Sequence, residues 1–303
     1  MLRLATTAMG TRFEIVLVAG PPGWTDADMR AAGETAIDEI DAWDRRLSRF
    51  APDSLVSHIN RTAARAPVAL DAPTFRLFRD AVDVWSATGG AFDITVAPAL
   101  VARGFDDSAV PARGGRAHGD ALVLDADAKT VAFSDVGVSL DFGAIGKGHA
   151  LDCAGERLRE CGVTSAFLQG GTSSGLAIGR PPGARGWRVA LGPDLESGLI
   201  TLADTAFSLS DAAAQLSASG HCHIVDPRQP LRPVDRPNEP SRVLVTGPSA
   251  RLADAWSTAL VALGDIPATL PNRYHARFLA PDEAGGPSSQ PTHLGPAQLT
   301  ERS

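Results

Sequence analysis

DFGAIGKGHALD, residues 141–152, is the stretch on which the reading of this chain turns. It follows an apolar alternation at Val136, Val138 and Leu140, and Gly143, Gly146 and Gly148 then surround one cation, Lys147. From His149 the spacing becomes helical through Leu151, Ala154, Leu158 and Cys161, and Gly162 is the stop. A strand that delivers a carboxylate, a glycine turn and a helix N-terminus together bring backbone N–H groups to a place where an anion can dock. The pattern matches neither the Walker phosphate loop nor the dinucleotide fingerprint G-x-G-x-x-G. On these residues alone, a tight strand-to-helix connection with a surface lysine is an equal alternative.

Outward from this segment, residues 11–18 read as a strand. Thr25 and Asp28 have capping-box spacing, and Met29, Ala32, Ala36, Ile40, Trp43 and Leu47 recur at helical intervals. Pro73 opens a second helix, with Leu77, Phe78, Ala81, Val82 and Trp85 on one face and Gly89-Gly90 ending it. Residues 103–120 read as a loop, and strands are expected at 121–124, 130–134 and 136–141. Further short apolar runs fall at 165–169, 175–178, 187–191, 199–203 and 242–246. Ser249 caps a last helix carrying Leu252, Ala255, Trp256, Ala259, Leu260 and Leu263, and Gly264 ends it. Irregular interleaving with several adjacent strands predicts an α+β fold, mixed α/β with largely antiparallel sheets. Residues 1–280 are expected to form one domain, and the Pro/Gly/Ser/Gln-rich stretch 281–303 a disordered tail.

The 303 residues carry a net charge of -7, which argues against nucleic-acid or anionic-membrane binding. An anionic ligand must therefore be held by local geometry. Cys153, Cys161 and Cys222 give neither a disulfide framework nor zinc spacing. No window has the apolar length of a membrane span. The first residues show no signal peptide or lipidation cysteine, so a cytoplasmic location is expected, or a periplasmic one if an export segment has been removed.

Three constellations could carry chemistry. Asp254 and Thr258 lie roughly 40° apart on one face of the last helix. Their oxygens suit Mg²⁺, although a solvated helix face reads the same way. His223 and Asp226, close to His221 in HCHIVDPR, could be a base and its partner, metal ligands, or the end of a strand at Pro227. Gly171-Thr172-Ser173-Ser174-Gly175 satisfies the nucleophile elbow G-x-S-x-G, which would make Ser173 the nucleophile of a serine hydrolase; the glycine and proline pair that follow argue against the helix an elbow needs. Phe50 and Phe92 could support a ring or belong to the core.

Taken in order, MGTRFEI from Met9, LSRFAPDSLVSHIN from Leu47, GGAFDITVAPAL from Gly89, SLDFGAIGKGHALD from Ser139, FLQGGTSSG from Phe167, HIVDPR from His223 and ADAWSTALVALG from Ala253 resemble the ApbE family of FAD:protein FMN transferases. The resemblance spans about residues 9–264. It implies two intimate lobes around a flavin cleft, and a Mg²⁺-dependent reaction that cleaves the FAD pyrophosphate and attaches FMN to a Thr or Ser of an acceptor protein. It places Met9, Phe50, Ala91, Phe92, Asp93, Asp141, Lys147 and Val225 against FAD. Asp254, Thr258 and the Ala144 carbonyl are placed on Mg²⁺ with Ser257 beside them, and His223 as the base. The chain departs from the family pattern at Thr172, Ser210 and Gln229, all toward the presumed acceptor side. An FAD pyrophosphatase, or a flavin-binding protein without transfer, are therefore the alternative readings.

Overall fold

The computed structural model describes residues 1–105, 119–191, 198–214, 217, 220, 222–230, 232–234 and 242–279; the expected tail at 281–303 and His221 lie outside the described residues. In chain order the elements are β1 (Leu2–Ala8), β2 (Thr11–Ala19), α1 (Asp26–Leu47), α2 (Leu55–Thr62), β3 (Val68–Ala69), α3 (Ala72–Ala87), α4 (Ala97–Ala102), β4 (Leu122–Asp125), β5 (Thr130–Phe133), α5 (Gly146–Glu160), β6 (Ser165–Gly170), β7 (Ser174–Ile178), β8 (Trp187–Ala190), β9 (Leu199–Leu202), β10 (Ala206–Asp211), β11 (Arg242–Gly247), α6 (Ala250–Leu263) and β12 (His275–Leu279). A seven-stranded sheet runs in the order β1-β2-β6-β7-β10-β11-β12, and every pairing in it is antiparallel. Two smaller antiparallel sheets are β3-β5-β4 and the β8-β9 hairpin.

Local chemistry explains the helix boundaries. Thr25 and Asp28 form the expected capping box, with Thr25 N–H donating to Asp28 Oδ2 at 2.8 Å and Asp28 N–H to Thr25 Oγ1 at 3.3 Å. Asp71 caps α3 through Thr74 N–H, and Ser249 caps α6 through Leu252 N–H. Gly264 ends α6 at φ 74°, a conformation that carries no steric cost without a Cβ.

The large sheet is covered on both faces. Alternate residues Ala166, Leu168, Leu176, Ile178, Ala206, Val243 and Val245 belong to the main core, which also holds buried residues of α1, α5 and α6. The residues between them, Phe167, Ala177, Phe207 and Leu244, pack with Trp187, Val189 and Leu202 of the β8-β9 hairpin on the opposite face. The main core continues through Phe78, Val131 and Phe133, so the small sheet and its helices share it.

Several expectations are corrected. The run 136–141 is not a strand: Leu140 N–H donates to Asn60 Oδ1 at 2.9 Å and Asp141 N–H to the Ile94 carbonyl at 2.7 Å, so its backbone is satisfied outside any ladder. The carboxylate of Asp141 is thus delivered by an irregular segment. β1, α2, β3, α4, β10 and β12 are not among the elements expected from the sequence. The Ser173 elbow also fails, because residues 171–173 turn directly from β6 into its antiparallel neighbour β7 with no helix following. Among the described residues, no helix is long and apolar enough to cross a membrane.

Candidate active site

Two helix N-termini meet at the glycine segment. α5 begins at Gly146 with no side-chain cap of its own from Ile145. Its Gly148 N–H donates instead to Asp254 Oδ2 of α6 at 3.1 Å. In return, Asp152 of α5 takes the start of α6: Ala250 N–H reaches Oδ1 at 2.8 Å, and Arg251 N–H and Ser249 Oγ reach Oδ2 at 3.1 and 2.6 Å. The helices exchange carboxylate caps, each placing a negative charge at the positive end of the other's dipole. The approach is so close that a Cβ on Gly148 would lie 2.2 Å from the Ala250 carbonyl oxygen. This is the physical reason for glycine at that position.

Asp254 is almost fully buried, and both of its oxygens are engaged. Ser174 Oγ and Ser208 Oγ donate to Oδ1 at 3.3 and 3.0 Å. These serines are register partners on β7 and β10, so one cross-strand pair presents two hydroxyls to one carboxylate. Lys147 Nζ stands 3.5 Å from Oδ2 and 3.4 Å from the Gly143 carbonyl oxygen. Thr258 Oγ1 donates back to the Asp254 carbonyl at 3.2 Å, which leaves its lone pairs directed elsewhere. Ser257 is fully buried, and its hydroxyl is engaged with Ser208, Ser210 and the Asp254 carbonyl. Ser210 lies 3.3 Å from Thr258 Oγ1. Among the described residues no three His, Cys, Asp or Glu side chains cluster. The donor set is hard oxygen with a single carboxylate, which fits Mg²⁺ that shares its shell with phosphate and water, and does not fit zinc.

The remaining candidates are distributed unevenly. Asp141 is brought to the glycine segment: its Oδ1 accepts from Gly143 N–H at 2.7 Å, and its Oδ2 pairs with buried Arg49 at 2.6 Å. Arg49 in turn stacks on the exposed ring of Phe50, its Cζ 4.5 Å from the ring centroid. Met9 and Gly10 form the β1-β2 turn at φ 50° and 71°, a left-handed conformation that is costly for methionine. Met9 N–H is held by Asp44 Oδ1 at 2.7 Å, and its sulfur lies 3.8 Å from the position of a Cβ on Gly146. Ala91, Phe92 and Asp93 are instead buried. The Asp93 carboxylate takes Thr95 N–H and Oγ1, each at 2.7 Å, and Gly119 N–H at 3.0 Å; burial pushes its pKa up. In this structure the segment is therefore part of the packed interior, with the Asp93 carboxylate fully used by its own turn.

His223 is half-buried and Val225 buried, on an irregular stretch that ends in turns. Asp226 is not the partner of His223 suggested by spacing. Its carboxylate is held bidentately by Arg228, from Nε to Oδ1 at 2.8 Å and Nη2 to Oδ2 at 2.9 Å. Arg228 packs against the 89–93 turn, its Cγ 3.7 Å from where a Cβ on Gly90 would sit. The histidine turn and the Phe92–Asp93 segment are thus neighbours.

Behind the glycine segment, His149 is buried edge-on against Trp43, with ring centroids 4.1 Å apart. Arg251 Nη1 lies 3.0 Å from His149 Nδ1 and also pairs with Asp80. Burial first, then the Arg251 charge, hold the His149 pKa well below its ordinary value, so the ring is neutral and accepts from Arg251. Burial also pushes the Cys153 thiol up to about 12, which removes it as a nucleophile. A cavity of about 410 Å³ between the β8-β9 hairpin and β12 contains none of the candidate residues.

With this geometry in place, comparison with known proteins gives a consistent answer. A model described as the ApbE family matches residues 9–274. The chain belongs to the ApbE family. It is 27% identical over 285 residues to the FAD:protein FMN transferase of Salmonella typhimurium, covering 84% of this chain and 77% of that protein. To the FAD:protein FMN transferase of Rhodobacter capsulatus it is 30% identical over 242 residues, covering 71% of this chain and 43% of the relative. In structure it resembles the ApbE protein of Thermotoga maritima, with TM-score 0.73, 24% identity and 86% of each chain covered. The flavin transferase ApbE of Vibrio cholerae matches with TM-score 0.71, 22% identity and 86% of each chain covered. These likenesses establish the ApbE fold, with its mixed α/β architecture and antiparallel sheets.

Reading the sequence missed Ser174, Ser208, Asp152 and Arg49. The alternation of Ser208 and Ser210 with Phe207 and Leu209 was the available signal for a strand with a polar inner face. The Asp152–Ser249 pairing spans 97 residues and has no local signature.

Proposed function

We propose that the protein is an FAD:protein FMN transferase, using Mg²⁺ to move FMN from FAD to a Thr or Ser hydroxyl of an acceptor protein with release of AMP. One observation carries the reading: the Asp254 carboxylate meets Lys147 and the Gly148 N–H of the α5 N-terminus at one oxygen, with Thr258 one turn further along α6, an arrangement suited to holding a cation and a pyrophosphate together. The curated relatives named above support the activity. Asp254, Thr258 and the Ala144 carbonyl would hold the metal. Mg²⁺, when bound, neutralises pyrophosphate oxygens and the charge that develops on the leaving phosphate.

Phosphoryl transfer needs positioning and charge neutralisation more than covalent chemistry from the protein. Lys147 supplies a point charge, and the α5 N-terminus an aligned dipole, to the phosphates. Met9, Phe50 and Asp141, gathered at the glycine segment, would line the flavin side. His223 accepts the proton of the acceptor hydroxyl. The hydroxyl oxygen bonds to phosphorus on the FMN side of the pyrophosphate. The bridging P–O bond breaks, and its electron pair departs with AMP.

His223→Ala should lower transfer by about two to four orders of magnitude while leaving FAD and metal affinity in place, because the loss belongs to the transition state. AMP release and flavin binding are measured on the same variant. Loss of flavin affinity together with stability would instead make His223 a structural residue.

A further inference from the structure

Residues 222–230 and 232–234 carry His223 and Val225 but are turns, bends and irregular backbone apart from one bridge residue, Cys222. Their local bonds include Gln229 N–H to the Asp226 carbonyl at 3.0 Å and Arg232 N–H to the Gln229 carbonyl at 2.9 Å. Three other carbonyls of the segment converge on one side chain. Arg103, at the end of α4 and 7% exposed, donates from Nε and Nη2 to the Pro230 carbonyl at 2.9 and 2.7 Å. Its Nη2 also reaches the Arg232 carbonyl at 2.8 Å, and its Nη1 the Ile224 carbonyl at 3.3 Å. The Ile224 carbonyl belongs to the residue directly after His223. A planar guanidinium can hold three carbonyls in a fixed relation, which an ammonium on a flexible stem cannot.

Arg103 is itself held by its own helix, its N–H donating to the Ala99 and Leu100 carbonyls at 3.2 and 3.1 Å. α4 begins shortly after Ala91, Phe92 and Asp93. The chain that runs through those residues therefore ends in the side chain that grips the histidine segment. The Arg228 contact beside Gly90 joins the same two segments at a second point.

We propose that Arg103 is a positioning residue: it orders residues 222–230 and thereby sets His223 against the acceptor hydroxyl. This rests on the reading of His223 as the base. The test uses Arg103→Lys, which keeps the charge, and Arg103→Met, which keeps the apolar stem, each alone and combined with His223→Ala. Amide hydrogen exchange over residues 222–230, FAD affinity and turnover are measured on the full chain. Faster exchange in that segment is expected, with kcat down about 10- to 100-fold, since a small misplacement of a reacting group has effects of that size. FAD affinity should stay within about threefold. In the His223→Ala background, Arg103→Lys should cause no further loss, because both changes remove the same contribution.

Exchange and kcat like wild type in both variants would overturn the proposal. So would a loss that adds in full to that of His223→Ala, because Arg103 would then act on something other than His223. If wild type neither cleaves FAD nor transfers FMN, the proposed function fails. The exchange measurement still judges the grip: unchanged protection overturns it, and faster exchange confined to residues 222–230 supports it.

Discussion

Gly148→Ala tests whether the crossed helix caps build the site. A Cβ there would lie 2.2 Å from the Ala250 oxygen, 2.5 Å from its carbonyl carbon and 2.7 Å from the Arg251 nitrogen. These are backbone atoms of a capped helix start, and no rotamer change can clear them. Reaching ordinary contact requires the two helix N-termini to part by about 1 Å. Overpacking of this kind costs about 1–3 kcal/mol. Weakening the Gly148 N–H bond to the Asp254 carboxylate adds about 1.5–3 kcal/mol at most, while helix propensity returns about 1 kcal/mol. A net loss of about 2–4 kcal/mol is expected, a fall in Tm of roughly 3–6 °C at the unfolding entropy of a chain of this size, about 0.6 kcal/mol/K. Gly146→Ala is the control. Its Cβ would meet Leu47 at 3.5 Å and the Met9 sulfur at 3.8 Å, which is ordinary contact, so Tm should move by less than about 2 °C. Calorimetry gives Tm, and Mn²⁺ paramagnetic resonance reads metal affinity in each variant. Equal melting of Gly148→Ala and wild type, with unchanged metal affinity, would refute the idea that this contact fixes Asp254.

Asp254→Asn should leave a folded protein whose Mn²⁺ affinity drops at least about tenfold, because the proposed site has one carboxylate and the amide places a donor against Gly148 N–H or the serine hydroxyls; calorimetric titration checks it. With so few protein ligands, metal affinity should rise about tenfold or more when FAD is present and FAD affinity should rise by the same factor when metal is present, a reciprocity that paired titrations measure. Acid should destabilise the fold through His149: its folded pKa is depressed below 6.5, so this contribution is whole above that pH and is lost as pH falls below it, by up to about 1.4 kcal/mol per pH unit. Denaturant midpoints between pH 7.5 and 5 should show this slope, and His149→Gln should flatten it. Asp93 and Asp152, whose carboxyls burial raises, act in the opposite sense at lower pH, where the native state takes up protons the more readily.

The sequence exposed what depends on neighbours in the chain. The Thr25–Asp28 box, the Ser249 and Gly264 caps and the helical start at the glycine segment are local, and each is present. The Asp254–Thr258 pair and the Lys147 loop were each visible as short patterns, but only the family resemblance put them together; in the structure Lys147 stands 3.5 Å from Asp254. What could not be read is set by packing between distant segments. Residues 136–141 alternate like a strand, yet Asn60 and Ile94 take their backbone bonds. Nothing local marks Ser174 and Ser208 as partners; the β7-β10 register sets them side by side, facing Asp254. Asp226 stands three residues from His223, but both of its carboxylate oxygens are held by Arg228. Phe92 could have been a ring support or core; it lies in the core, because the turn after α3 folds inward over Thr88, whose hydroxyl accepts from Phe92 N–H at 3.2 Å.

Covalent transfer leaves FMN on the acceptor protein, where mass spectrometry detects it. The full chain is incubated with FAD, Mg²⁺ and a candidate acceptor protein, then denatured, and the acceptor's Thr and Ser residues are mapped while AMP is assayed. The expected result is one FMN attached through phosphate to a single hydroxyl for each AMP released, abolished by chelator and by Asp254→Asn. Tight flavin binding with neither AMP nor modified acceptor, or AMP in full yield with every acceptor unmodified, would contradict it.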